Sequence, residues 1–327
     1  QPDASTATLA LDLQDASVPD LIDIGTWISI DINTELDGEP VTSRRFAGRI
    51  TDITAGWDEA GESTPDAARA RIIAAGTLAD LGRRIIGDVP WPVELDGHRV
   101  TRILEAAGIT VSPAFTDPGT VAVLARDVDA QPALDLAHEI AASASGILWA
   151  TRSGDIRYAD ADHRRGTPPS LALDTCQILA APAWSRTTDG LVNHVSVGYG
   201  EPDEESGDQA RHIATDPASI TRYGRYGQSF ATVLAEEADA IALATLMLTR
   251  ASAPVWILEQ LPLDAATLDE ATYATLLGLD IHDLITLTGL PAIAGTPTSA
   301  SLWVEGWSEH LAHDTHTIEL VVSAYCR

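Results

Sequence analysis

The sequence predicts a mainly β chain with an α+β insert: two related small antiparallel β-barrels flanking a small α/β domain. Three observations lead there. Apolar runs of period two cluster toward both ends, helical spacing is strongest in the middle, and a stretch near the start recurs near the end. With 327 residues the chain is too long for one small core and fits two or three packed domains.

The first clear strand runs from Trp27 to Ile32, with Ile28, Ile30 and Ile32 on one face and Ser29 and Asp31 on the other. A polar segment, Asn33 to Ser43, holds the turn signal Asp37-Gly38 and leads to a second run, Phe46 to Ile53, which predicts a hairpin with a long tip. An acidic stretch, Asp58 to Asp66, separates this from Ala68 to Ala75, where Ala70, Ile72 and Ala74 share a face. These strands make the first barrel, residues 1–77, either by themselves or completed by a later segment of the chain. The insert, residues 78–166, opens with short helical patterns at Leu78 to Ile86 and Arg99 to Ala107, the second stopped by Gly108. Its main helix, 130–145, carries Ala133, Leu136, Ala137, Ile140 and Ala144 on one stripe. A hairpin over 146–158 follows, turning at Ser153-Gly154-Asp155.

Thr167-Pro168-Pro169 marks a linker into the second barrel, residues 167–327. Leu191 to Tyr199 reads as a strand and Gly200 to Asp208 as a solvated acidic loop. Leu234, Ala238, Ile241, Thr245 and Leu248 form one face of a helix over 234–250. Val255 to Leu263, Leu284 to Thr288, Leu302 to Trp307 and Thr317 to Ser323 read as further strands.

Laying Ile22 to Ile30 over Leu279 to Leu287 makes Asp23/Asp280, Ile24/Ile281 and Ile28/Ile285 identical, and Ile22/Leu279, Ser29/Thr286 and Ile30/Leu287 conservative. The separation is 257 positions, and Gly48 and Gly306 continue it at 258. Ile24, Ile28, Ile30, Gly48, Ile281, Ile285, Leu287 and Gly306 are therefore the expected core of a repeated module. Two copies are too few for a solenoid, so a duplicated barrel is the reading. A trimer of such a chain places six similar units around its axis.

Composition narrows the chemistry. Against 48 acidic residues stand 20 basic ones, all arginine, and a net charge of −28 argues against a groove for nucleic acid phosphates. No run approaches the ~18 apolar residues that cross a bilayer, and no charged-then-apolar leader opens at Gln1. Cys176 and Cys326 are too few for a disulfide framework or a thiolate zinc site. His310, His313, Asp314 and His316 form a metal-like cluster by spacing, read as an exposed polar turn. His138-Glu139 begins like a zincin helix, but Ala142 stands where the second ligand belongs. Ser-elbow, P-loop and dinucleotide signatures are absent from the sequence. Trp303 and Trp307 are placed on one strand face, in a barrel core or a subunit interface. No catalytic residue, cofactor or metal is expected.

Several segments, in order, resemble the baseplate hub or tail-hub minor tail proteins of long-tailed bacteriophages, particularly siphophages of actinobacterial hosts. They are Phe46 to Ile53, Arg102 to Gly108, Ala137 to Trp149, Ser153 to Ile156, Ser219 to Gly224 and Trp303 to Trp307. The resemblance runs over nearly the whole chain. It implies a non-enzymatic homotrimer at the virion's tail tip, assembled in the host cytoplasm, whose paired barrels make a pseudo-sixfold ring. The implied partners are the hexameric distal tail ring and tape-measure protein above, and fibre or spike proteins below. Genome DNA would pass through without specific binding, past acidic walls that repel phosphate. Extra C-terminal envelope-digesting domains of some members are not implied, the sequence ending at Arg327. The rival readings are a carbohydrate-binding tail adhesin and, behind it, a cell-envelope hydrolase.

Overall fold

A computed structural model describes residues 4–13, 22–57, 68–87, 90–180, 183–258, 260–292, 296–312 and 315–324. The chain opens with β1 (Thr6–Leu13), β2 (Trp27–Leu36), β3 (Glu39–Trp57) and β4 (Ala68–Ala75), an antiparallel sheet in the order β1-β4-β3-β2. The hairpin tip is only Asp37 and Gly38, so the polar segment expected to form a long tip instead extends both strands. Its alternation, Asn33 and Glu35 outward against Ile32, Thr34 and Leu36, is strand periodicity carried through polar residues.

The insert follows: α1 (Thr77–Gly82), β5 (Ile85–Ile86), β6 (Glu94–Leu95), α2 (Asp96–Ala106), β7 (Ala122–Val123), β8 (Gln131–Pro132), α3 (Ala133–Ala144), β9 (Ile147–Ala150) and β10 (Ile156–Ala159). Leu78 to Ile86, expected as one helix, stops at Gly82, because Ile85 and Ile86 pair with Pro132 and Gln131. The stripe predicted on α3 is buried: Ala133, Leu136, Ala137 and Ile140 pack on Val100, Ile103 and Leu104 of α2 and on Leu148 and Tyr158. Ser145 ends the helix in the left-handed conformation, with φ of 56°.

β11 (Leu171–Asp174) leads into a separate unit made of β12 (His194–Tyr199), β13 (Ala210–Thr215), α4 (Pro217–Tyr223), β14 (Gly227–Phe230) and α5 (Glu237–Ala251). Here α5 buries Ala240, Leu243 and Ala244 against Val195 and Val197 of β12. The helix expected within the second barrel therefore packs on its own three-stranded sheet, ordered β13-β12-β14. The chain returns through β15 (Gln260–Asp264), α6 (Glu270–Gly278), β16 (Leu284–Thr288), β17 (Ala300–Ala312) and β18 (Thr315–Ala324). The last sheet, β11-β16-β17-β18-β15, is antiparallel except where β11 joins β16. The fold is thus mainly β, with two curled half-barrel sheets at the ends of the sequence.

Candidate functional site

The two end sheets share one plan. Strands β1 to β4 stand in the order β1-β4-β3-β2, and β15 to β18 stand as β15-β18-β17-β16, antiparallel throughout. The turn entering β2 holds Ile24 N–H on Asp23 Oδ1 at 2.7 Å, and Asp23 N–H donates to Thr26 Oγ1. The turn entering β16 repeats this: Ile281 N–H reaches Asp280 Oδ1 at 2.8 Å, and Asp280 N–H reaches Asp283 Oδ2 at 2.7 Å. Gly25 and His282 take the same place in left-handed backbone, φ 84° and 76°, and each donates its N–H across the sheet, to Ile50 O and Val304 O. A bulge follows at the matching position, between Ile50 and Asp52 in β3 and between Val304 and Gly306 in β17.

This register places the expected repeat residues. Ile28 and Ile285 correspond, as do Ile30 and Leu287, by their pairing with β3 and β17. Gly48 pairs with Ile28 while Leu302 pairs with Ile285, so Leu302 stands in the place of Gly48, and Gly306 marks the bulge instead. The two glycines do different work: a β-carbon at Gly48 would collide with the Ala75 carbonyl, whereas Gly306 faces open space. Ile24 is 57 % exposed and Ile281 half-buried, because both are turn residues whose backbone, not side chain, carries the repeat.

The modules differ in what covers them. Leu261, Leu263, Ile285 and Leu287 are completely buried, in a core closed by Leu171 and Leu173 of β11 and Leu276 of α6. Their counterparts by register, Leu9, Leu11, Ile28 and Ile30, are all half-buried. The N-terminal sheet, ending at β2 among the described residues, has no strand in the place of β11.

Polar groups join the modules. Arg45, on β3, grips Glu309 of β17 with Nε at 2.8 Å from Oε1 and Nη2 at 3.0 Å from Oε2, and donates Nη1–H to Leu277 O at 2.7 Å. His316 Nε2 meets the same Glu309 at 2.7 Å, and its Nδ1 meets the Tyr273 hydroxyl. Burial alone would raise the Glu309 carboxyl; hydrogen bonds from His316 and Arg45 outweigh it and hold the group below its ordinary range. Arg164 of the insert pairs with Glu305 at 2.9 Å. Sequence reasoning missed this cluster. Its signal is parity: Glu309 pairs with the buried Ile318, an inward position past the bulge.

His310 is exposed, while His316 is committed to Glu309 and Tyr273; His313 and Asp314 lie outside the described residues, as does Cys326. No group of three metal-ligating side chains gathers among the described residues. The bulge also separates the tryptophans. Trp303 pairs with Ser323 and Trp307 with Leu320, an odd step that turns them to opposite faces.

The matched turns carry a direct test. Asp280→Ala should cost about 1.5–3 kcal/mol, the range for hydrogen bonds to a charged group, whereas Asp23→Ala, in an exposed turn, should cost under about 1 kcal/mol. Urea denaturation of both variants checks the order.

The fold is shared with solved tail proteins. The chain superposes on the 43 kDa tail protein of prophage MuSo2 from Shewanella oneidensis with a TM-score of 0.64 and 14 % identity, over 98 % of this chain and 90 % of that one. A tail protein from Neisseria meningitidis MC58 gives 0.59 at 13 % identity, over 97 % and 91 %. The E. coli c3393 protein, a type VI secretion component described as similar to T4 tail proteins gp27 and gp5, gives 0.51 at 12 %, over 98 % and 70 %. No protein-family model and no curated protein matches the sequence. At these identities the likeness shows a shared fold.

Proposed function

We propose that the chain is a structural, non-enzymatic tail protein: a homotrimeric hub of siphophage type in which three copies set six β modules around one axis. The modules lie within residues 1–77 and 167–327, the latter also holding the separate β12–α5 unit, with 78–166 as the insert. The observation that carries this reading is the contrast between matched rows. Leu261, Leu263, Ile285 and Leu287 are buried, and Leu9, Leu11, Ile28 and Ile30, at the same places in the same strand plan, are not. An apolar row that one module closes for itself and its twin leaves half-open is suited to cover by a neighbouring protomer. The fold shared with tail proteins supports the setting.

In that setting the ring faces a hexameric distal tail ring and tape-measure protein on one side and fibres or a spike on the other. It surrounds the path of genome DNA within the virion's tail tip, after assembly in the host cytoplasm. Acidic walls suit passage without adhesion, given a net charge of −28. Light scattering should give about three times the 34.6 kDa of one chain, about 104 kDa. Averaged images down the axis should show three copies with near-sixfold density. A monomer that persists at high micromolar concentration would overturn the reading.

A further inference from the structure

Between the N-terminal sheet and the β17-β18 hairpin lies a cleft of about 1030 Å³. Eight consecutive residues of the N-terminal segment, Ala4–Leu11, and eight of β17, Glu305–Ala312, line it. Consecutive residues point alternately, so unbroken runs mean that strand edges border the space. Both edges are unpaired on one side among the described residues: β1 pairs only with β4, and β17 beyond Val304 pairs only with β18. Such edges are templates for an added strand.

Arg152, in the turn between β9 and β10, also lines the cleft. Its guanidinium lies 3.7 Å from the centre of the Trp307 ring, and its Nε and Nη2 groups have no hydrogen-bond acceptor. The nearby carboxylates are used elsewhere: Glu309 by Arg45 and His316, Glu305 by Arg164 and Ser323, Asp280 by the Ile281 N–H, and Asp283 by Ser170 and the Asp280 N–H. Burial, with the charge of Arg45 second, pulls the Arg152 guanidinium down to about 9. In a chain with 48 acidic residues and 20 arginines, an arginine that Glu309, Asp280 and Asp283 attract only through space, with no acceptor on Nε or Nη2, is a cation short of one partner.

We propose that the cleft receives an extended segment of a second copy of this chain, which adds to a free strand edge and sets an Asp or Glu carboxylate against Arg152. This rests on the trimer reading and names the contact within it. A second copy fits because the cleft takes in Leu9, Leu11 and Ile30 of the half-open apolar row, so one segment closes both deficits. Its charge is complementary, since acidic side chains abound on the chain.

The test has two arms. With the wild-type chain shown to be trimeric, Arg152→Ala and Arg152→Met should raise the concentration at which the trimer dissociates about 10–100-fold, with Arg152→Lys between. The isolated protomer should melt no lower, because the variants remove an unsatisfied buried cation. Separately, a benzophenone amino acid at Thr8 on the cleft wall should, under light, cross-link to an acid-bearing peptide of another copy, identified by mass spectrometry of isotope-mixed trimers. Unchanged dissociation of the Arg152 variants, or cross-links confined to one chain or to a different protein, would overturn the contact while leaving the trimer standing. A monomeric wild type overturns both.

Discussion

Glu309→Ala is expected to lower the stability of the chain by about 3–5 kcal/mol, because it leaves the Arg45 guanidinium buried without its counter-charge. The side chain of Arg45 is 2 % exposed and that of Glu309 9 %, so water cannot replace the lost partner. His316, at 11 %, loses its acceptor in the same step. Arg45→Ala should cost a similar amount, leaving the carboxylate with His316 alone and freeing Leu277 O. Replacing the pair together, Arg45→Met with Glu309→Leu, should recover most of the loss, since an apolar pair of like volume avoids desolvating two charges. Urea denaturation of the three variants decides this: a Glu309→Ala loss below about 1 kcal/mol would mean the cluster is incidental.

The same carboxylate sets a pH dependence with a fixed sign. Burial opposes the charge of Glu309, but the His316 and Arg45 hydrogen bonds more than offset it, so the folded pKa lies below the ordinary 4.5. A depressed carboxylate contributes fully above its unfolded pKa and loses that contribution as pH falls through the folded one. Wild-type stability should therefore drop more steeply below about pH 4.5 than that of Glu309→Gln, whose side chain does not titrate. Equal slopes would remove Glu309 from the acid response.

The parts of the fold legible in the sequence are those whose side chains alternate or stripe. Ile28, Ile30, Ala70 and Ile72 announced strands, and Leu136, Ala137 and Ile140 announced α3, because one face of each is apolar. The matched turn also showed, through Asp23 and Asp280, since a carboxylate that caps the next N–H is a side-chain requirement. What did not show was set by the backbone or by distant chain. His282 holds the left-handed place of Gly25 although it is not a glycine, and the β17 bulge breaks the parity that put Trp303 and Trp307 together. Residues 270–278 form α6 with apolar residues distributed around the axis, so no stripe marked it. Arg45, Arg152 and Glu309 meet across more than a hundred residues of chain, and nothing local to any of them signals the others.

Asp96→Ala should be the other costly change, about 3–5 kcal/mol, because one buried carboxylate there satisfies three donors at once. Asp96 opens α2 and is 0 % exposed. Its Oδ1 accepts from Thr120 N–H at 2.7 Å and Val121 N–H at 3.0 Å, and its Oδ2 accepts from the Tyr158 hydroxyl at 2.5 Å. Burial first, and then the charge of Asp96, push the Tyr158 phenol far up, so it remains a donor at any ordinary pH. The loop is fitted closely to the carboxylate: Gly119, at φ 92°, lies so near that a β-carbon would collide with Asp96 Oδ1. Asp96→Asn should cost less than alanine, since its amide oxygen can keep the two backbone donors and its amide nitrogen can turn a hydrogen to the phenol oxygen. Tyr158→Phe should cost about 1–2 kcal/mol, and the double variant with Asp96→Ala little more than Asp96→Ala alone, because the one bond that Tyr158→Phe removes is already lost with the carboxylate. The network also has reach. Tyr158 lies on β10, whose hairpin partner β9 leads into the turn bearing Arg152, so the α2 carboxylate holds the strand that presents the cleft's cation. If the proposed trimer forms, Tyr158→Phe should therefore weaken its association as well as folding; an unchanged dissociation concentration would uncouple the insert's core from the cleft.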